Sequence, residues 1–203
     1  MKLETTRLIL RTAKKNDWKD IFEGASDLEI AKNTLLIPHP YRKVDAVNFI
    51  AHCIKEQGKK NSSHYDLFIE LKADKKVIGV TSIHRSKEDK NVGITGSWIN
   101  KNYWRRGYIL EAKVAVLDFA FNKLKLRRVE SEAFTENKAS NLMSEKLGFK
   151  LEGTKRKSVT AVSTGIVHDV NIYGMLRDEW VKKRGEIIKK RQNKDQEKRI
   201  ITF

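Results

Sequence analysis

The stretch NYWRRGYILEA, residues 102–112, sets two adjacent arginines and a glycine ahead of an apolar run. It falls between a strand that ends near Ile99 and a helix that begins near Gly107. A strand-to-helix turn leaves the first N–H groups of the helix without intrahelical partners, and such groups receive anions. Gly107 lets an anion approach the main chain closely, and Arg105 and Arg106 add charge beside it. The spacing is neither that of a P-loop (no GxxxxGK) nor that of a dinucleotide fingerprint (no GxGxxG), which excludes the two commonest nucleotide-binding turns.

Proton-transfer groups are scarce. His84 ends a strand, and imidazole is the side chain suited to base work near neutral pH; the competing reading is a plain surface or turn histidine. Glu130, Glu132 and Phe134 share one face of a strand, turned toward a cleft or toward solvent. His168 is in phase with Ile166, Val170 and Ile172, which reads as a core histidine with its hydrogen bonds satisfied. Asp169, Asn171 and Tyr173 share the opposite face. If that face lines an acceptor cleft, Asp169 holds a cationic amine and Tyr173 orients it; otherwise it is an ordinary sheet face. Asn137 with Ser140 three residues on is good helix-start chemistry. Cys53 lies on an apolar stripe and reads as core rather than nucleophile. No His, Asp or Glu grouping has metal-ligand spacing.

The elements that must position these residues are legible from periodicity. RLILRT is an opening strand, and NDWKDIFEGAS a helix with Asn16 as its cap. IPHPYR is a loop, because Pro38 and Pro40 exclude helix and central strand. DAVNFIAHCIKEQG is an amphipathic helix ending at Gly58. YDLFIEL and KVIGVTSIHR form a hairpin about KADK, and VGITGSWI follows as a third antiparallel strand. LEAKVAVLDFAFNKL is apolar almost all round and therefore buried. RRVESEAF is a strand. NKASNLMSEKLGF is a helix burying Ala139, Leu142, Met143 and Leu147, with Gly148 as its C′ glycine. GIVHDVNIYGML is the closing strand. This order predicts an α/β (α+β) fold: one mixed, mainly antiparallel central sheet flanked by helices.

Composition sets the outer bounds. The 203 residues carry 42 Lys and Arg against 26 Asp and Glu, a net charge of +16 that attracts polyanions and repels polycations. One cysteine excludes an internal disulfide, and a reducing, cytoplasmic setting is expected. No apolar run reaches the roughly 20 residues a membrane span needs. The chain divides into a domain over 1–180 and a basic extension, helical or disordered, over 181–203. That extension carries nine basic and three acidic residues. It is either a solvated tail or an arm for ribosome or RNA, and it lacks stacking aromatics apart from Phe203.

Three blocks, GSWINKNYWRRGYILEAKVAVLDFAF, RRVESEAFTENKASNLMSEKLGFKLEG and HDVNIYGMLRDEW, together resemble the GNAT superfamily of acetyl-CoA-dependent N-acetyltransferases. ETTRLILRTAKKND and IPHPY add to the likeness, which spans about residues 3–180. It is nearest to the branch of ribosomal-protein N-terminal (alanine or serine) acetyltransferases. The resemblance implies that Arg105, Arg106, Gly107, Tyr108 and Ile109 bind the pyrophosphate of CoA. It implies that Trp98 and Ile99 pair with the pantetheine arm, that Asn137 bonds the cofactor near its thiol end, and that Ser140 protonates the departing thiolate. Two positions depart from the family: Ile109 stands where a small residue is usual, and Ile94 where many relatives carry a basic glutamate. The implied reaction passes acetyl from acetyl-CoA directly to a primary amine without a metal. The acceptor is a protein N-terminus, with a ribosomal protein as one option. A small-molecule amine, or an inactive RNA- or ribosome-binding module, is the alternative. A monomer or a homodimer fits equally.

Overall fold

The computed structural model describes residues 1–59 and 63–200, with side chains through Lys189. Strands β1 (Lys2–Glu4), β2 (Leu8–Arg11), β3 (His64–Leu71), β4 (Val77–Arg85), β5 (Val92–Ile99), β6 (Arg128–Phe134), β7 (Lys150–Thr160) and β8 (Val167–Leu176) make one sheet. Their order in it is β1-β2-β3-β4-β5-β6-β8-β7. Every pairing is antiparallel except β5 with β6.

The helices divide between the two faces, as the expected mixed fold requires. Helices α1 (Trp18–Ala25) and α3 (Lys43–Gln57) pack Ile21, Ala46, Ile50 and Cys53 on Phe68 and Val80. A short α2 (Leu28–Ala31) follows α1. On the other face α4 (Tyr108–Asp118) continues into a π-helical turn over Phe119–Lys123. With α5 (Lys138–Leu147) it covers Leu67, Ile69, Ile83, Ile99, Val129 and Tyr173. Helix α4 is buried as its composition demands, and it takes two charged side chains, Glu111 and Lys113, into the interior with it.

Several local expectations are corrected. Asn16 lies inside a 3₁₀ turn over Lys15–Asp17 and does not cap α1. Asp17 supplies the carboxylate there, accepting from the Lys14 N–H and from both Nη atoms of Arg11, whose Nε reaches Glu70. The four-residue stripe of α5 is halved: Met143 and Leu147 face the core, whereas Ala139 is exposed and Leu142 is 63% exposed. Strand β7 was not expected, because KLEGTKRKSVT is exposed nearly throughout and has no apolar alternation to announce it. It is an edge strand, held by β8 alone.

Helix α6 spans Arg177–Ile200 and so crosses the boundary drawn at residue 180. Trp180 is buried with its Nε1 donating to Asp118, Arg184 donates to the same carboxylate, and Ile187 packs on the core. Truncation after Lys189 keeps these contacts and should leave Tm unchanged. Truncation after Trp180 removes the Arg184 and Ile187 contacts and should lower Tm by several degrees, measured by calorimetry (about 2–4 °C per kcal/mol for a chain of this size).

Candidate active site

Strands β5 and β6 separate partway along. They are in register from Val92 with Arg128 to Thr95 with Ser131, and then β5 runs on to Ile99 beside β4 alone. The Asn100 N–H donates to the Ile78 carbonyl, so strand alternation turns the peptide groups of Asn100, Trp98 and Gly96 toward β4. Those of Ser97 and Ile99 face the gap. The Ile99 carbonyl is capped there by Trp104 Nε1 at 2.8 Å. Of the expected pair Trp98 and Ile99, then, only Ile99 offers main chain to the slot, and Ser97 joins it.

At the mouth of the slot lies the arginine–glycine turn. Arg105 (φ 60°) and Gly107 (φ 77°) are both left-handed and flank Arg106. Alternating handedness points successive N–H groups at one side and makes an anion nest. Glu111 N–H is the first to bond within α4, to the Gly107 carbonyl at 3.1 Å, which leaves the N–H groups of Tyr108, Ile109 and Leu110 outside the helical ladder. A Cβ placed on Gly107 would meet nothing nearer than Arg7 Nη2 at 3.6 Å, so the space over the turn is open. The bulky Ile109 side chain packs against the core.

A clamp that sequence reading missed holds this turn. Glu111 is 3% exposed and accepts from Thr5 Oγ1 (2.6 Å), the Arg7 N–H (2.9 Å) and Arg7 Nε (2.8 Å). Burial raises its pKa, but these hydrogen bonds outweigh it and hold the carboxyl below its usual range. Arg7 Nη1 in turn donates to the Arg106 carbonyl, and the guanidinium lies 4.4 Å from the centroid of the Tyr108 ring. The available signal was a lone glutamate in the first turn of an otherwise apolar helix.

Helix α5 leaves the end of β6, so its first turn stands at the open end of the slot. Asn137 caps it, with Oδ1 accepting from the Ser140 N–H at 3.1 Å and Nδ2 donating to Asn33 in the turn after α2. Ser140 is half-buried and its hydroxyl has no hydrogen bond among the described residues. Asn141, also missed, accepts from Tyr173 Oη (2.8 Å) and Asn171 Nδ2 (2.9 Å). Tyr173 is 1% exposed and serves the core on this side. Asp169 accepts from the Lys157 N–H at the irregular pairing of β7 with β8. Neither is brought beside His84.

His84 lies on the other face. It is level with Ile94 on β5, which is level with Glu130 on β6. This row belongs to the face of Phe68, Val80 and Trp98, under α1 and α3. The His84 ring is half-exposed, and its Nε2 lies 3.1 Å from Asp66 Oδ1. A carboxylate can only accept, so Nε2 donates to it, and in the neutral ring Nδ1 is then the acceptor. His64 packs on His84 at 4.6 Å between centroids, and burial together with that neighbour holds the His64 pKa down. Cys53 is buried near Asp66, which pushes its thiol pKa far up and removes it as a nucleophile. Glu130 and Glu132 are paired with Arg128 and Lys155. His168 is buried as expected, stacked on Phe134 and paired with Glu136, but its Nε2 has no hydrogen-bond partner among the described residues. The turn after α2 closes one end of this face: the Val162 N–H donates to the Leu35 carbonyl and Ser163 Oγ to that of Ala31. Among the described residues no group of three or more His, Cys, Asp or Glu is placed to hold a metal, and no helix is long and apolar enough to cross a membrane.

Residues 7–150 match the family model described as acetyltransferase (GNAT) domain. The chain is 29% identical over 175 residues to the uncharacterized N-acetyltransferase YoaA of Bacillus subtilis, covering 86% of this chain and 96% of that one. It is 31% identical over 107 residues to the putative ribosomal N-acetyltransferase YdaF of the same organism, covering 53% of this chain and 57% of that one. A GNAT-family acetyltransferase from Bacillus anthracis superposes with a TM-score of 0.74 at 25% identity, covering 88% and 99% of the two chains.

Proposed function

The chain belongs to the GNAT acetyltransferase family, and from that premise we propose that it acetylates the primary amine of a protein N-terminus, using acetyl-CoA bound across the β5–β6 gap. The observation that carries this reading is the conjunction of two features. A strand edge turns the peptide group of Ser97 and the Ile99 N–H toward the gap, and it leads to a left-handed nest at Arg105–Gly107 backed by a helix N-terminus. An extended arm ending in a diphosphate needs both. Arg105, Arg106 and the N–H groups of Gly107, Tyr108 and Ile109 take the diphosphate.

The acceptor amine reaches the thioester from the face of α1 and α3. There His84 Nδ1 takes the proton that the nitrogen loses, and Asp66 holds the ring in the required tautomer. Its place beside Ile94 lets it do from β4 what relatives do with a glutamate on β5. Peptide groups of the slot polarise the carbonyl, and Ser140 offers a hydrogen bond to the sulfur from α5. Two features support a peptide acceptor over a polyamine or aminoglycoside: the similarity to YdaF, and a net charge of +16 that repels polycations. The basic stretch from residue 181 adds attraction for a ribosome or RNA.

Thiol release on a panel of peptides with Ser or Ala N-termini, run beside a panel of small amines, tests the acceptor. Turnover confined to small amines would sink the N-terminal reading. Binding is tested separately. At about 100 times Kd, acetyl-CoA should stabilise the protein by about 2.7 kcal/mol and raise Tm by about 5–10 °C. Gly107→Val puts a β-branched residue at φ 77° and its methyls over the nest, and should abolish that rise. An undiminished rise in the variant would show that the diphosphate binds elsewhere.

A further inference from the structure

Lys113 projects from the buried side of α4 and is 6% exposed. Its Nζ makes one hydrogen bond, to Thr95 Oγ1 at 3.2 Å, and Thr95 Oγ1 passes its own proton to the Ser82 carbonyl at 2.7 Å. Thr95 is the last residue of β5 in register with β6, so the amine sits directly beneath the point where the slot begins. An ammonium has three donors, and one is used. The carboxylates nearest in sequence are committed elsewhere: Glu111 to Thr5 and Arg7, Asp118 to Trp180 and Arg184. On the facing elements, Thr95 and Ser131 are uncharged, Ser144 is the buried polar residue of α5, and its Glu145 is exposed. No described carboxylate forms an ion pair with Lys113. Burial alone, with no opposing charge, pushes its pKa down to about 8. An unpaired buried cation is among the most destabilising groups a core can hold. Its position suggests what offsets that penalty.

Resting on the reading of the β5–β6 gap as the thioester slot, we propose that Lys113 is the counter-charge for the CoA thiolate, a buried ammonium that stabilises the sulfur as it leaves. The step leaves a negative sulfur that such a group can stabilise. The acceptor nitrogen forms the new C–N bond, the C–S bond breaks, and sulfur departs with the electron pair while His84 holds the amine proton. A serine hydroxyl that surrendered its proton to sulfur would leave an alkoxide more basic than the thiolate it relieved. Ser140 can therefore donate a hydrogen bond, but it cannot supply the charge. Lys113 supplies it from below, within a medium of low dielectric where one charge acts strongly on another.

The test reads the sulfur directly. The thiol of bound CoA is titrated by ultraviolet thiolate absorbance in the wild type and in Lys113→Met, which keeps the stem and removes the charge. Acetyl-CoA and desulfo-CoA affinities serve as controls. In the wild type, ionisation of the bound thiol should be favoured by about 10- to 100-fold over free CoA, and Lys113→Met should abolish this. Acetyl-CoA and desulfo-CoA should bind both proteins within about twofold, since neither has a thiol to ionise. Thr95→Val, which removes the hydroxyl that aims the amine, should give a smaller loss. Lys113→Met should also melt higher, because it relieves an unpaired buried charge. Equal thiol titrations in the wild type and Lys113→Met would overturn the proposal. So would a gain of one acetyl group mapped to Lys113, which would make the amine a nucleophile. If neither acetyl-CoA nor desulfo-CoA binds the wild type, the slot reading itself fails and this inference falls with it.

Discussion

His84→Ala should lower kcat by about 10²–10³-fold, within the range general-base removal produces, while the Kd for acetyl-CoA stays within about twofold. The two effects separate because His84 and the diphosphate turn lie at different ends of β5 and on different faces of the sheet. An amine attacks only with its lone pair free, so the proton must leave during the step. Among the described residues, Nδ1 is the one strong acceptor on the row His84–Ile94–Glu130 that no other group claims, since Glu130 is paired with Arg128. In His84→Ala, added imidazole should restore part of the rate. Asp66→Asn should cost less, because the ring stays in place and loses only the carboxylate that fixes its tautomer. Steady-state rates with and without added imidazole decide the matter. A His84→Ala variant with wild-type kcat would assign the proton to a water chain or to Glu132.

Most of this arrangement was legible in the sequence because it is local. Gly107 before an apolar run, Asn137 three residues ahead of Ser140, and Gly148 after Leu147 each state a turn or cap in a few residues, and all three stand where expected. The strand row carrying His84 follows from alternation within one hairpin. What escaped depends on contacts across the fold. Arg7 reads as a strand-opening cation, and Glu111 as a blemish in an apolar helix. Only folding brings residues 104 positions apart into a bidentate pair. Strand β7 was missed because edge strands facing solvent need no apolar alternation. Leu142 misled the reading of α5 through its type alone: the periodicity is right, but the helix meets the sheet through Met143, Ser144 and Leu147, and Leu142 is left facing outward. Lys113 is the opposite case. A lysine amid apolar residues looks like a solvent-facing break in the stripe, and the structure turns it inward.

Arg7→Ala should destabilise the fold by about 3–5 kcal/mol at neutral pH, the penalty for stranding one member of a buried ion pair. The asymmetry of the pair makes Arg7 the sensitive partner. Its side chain is 43% exposed and could be solvated alone, whereas the Glu111 carboxylate is 3% exposed and could not. The pH dependence should reverse sign. In the wild type the folded pKa of Glu111 lies below its unfolded value, so its contribution is present above that value and lost as acid protonates the folded carboxylate. In Arg7→Ala, burial without the guanidinium raises the folded pKa. The variant then recovers stability as pH falls below the folded value, and loses it as pH rises through it. Denaturation in urea at pH 7 and near pH 5 should therefore show the gap between the two proteins narrowing in acid. The functional consequence follows from the same contacts. Arg7 Nη1 holds the Arg106 carbonyl and the guanidinium covers Tyr108, so the nest loses its support and acetyl-CoA should bind about 10-fold more weakly. A gap that stays the same from pH 7 to pH 5 would show that Glu111 is held by Thr5 and the main chain alone, with the guanidinium an idle neighbour.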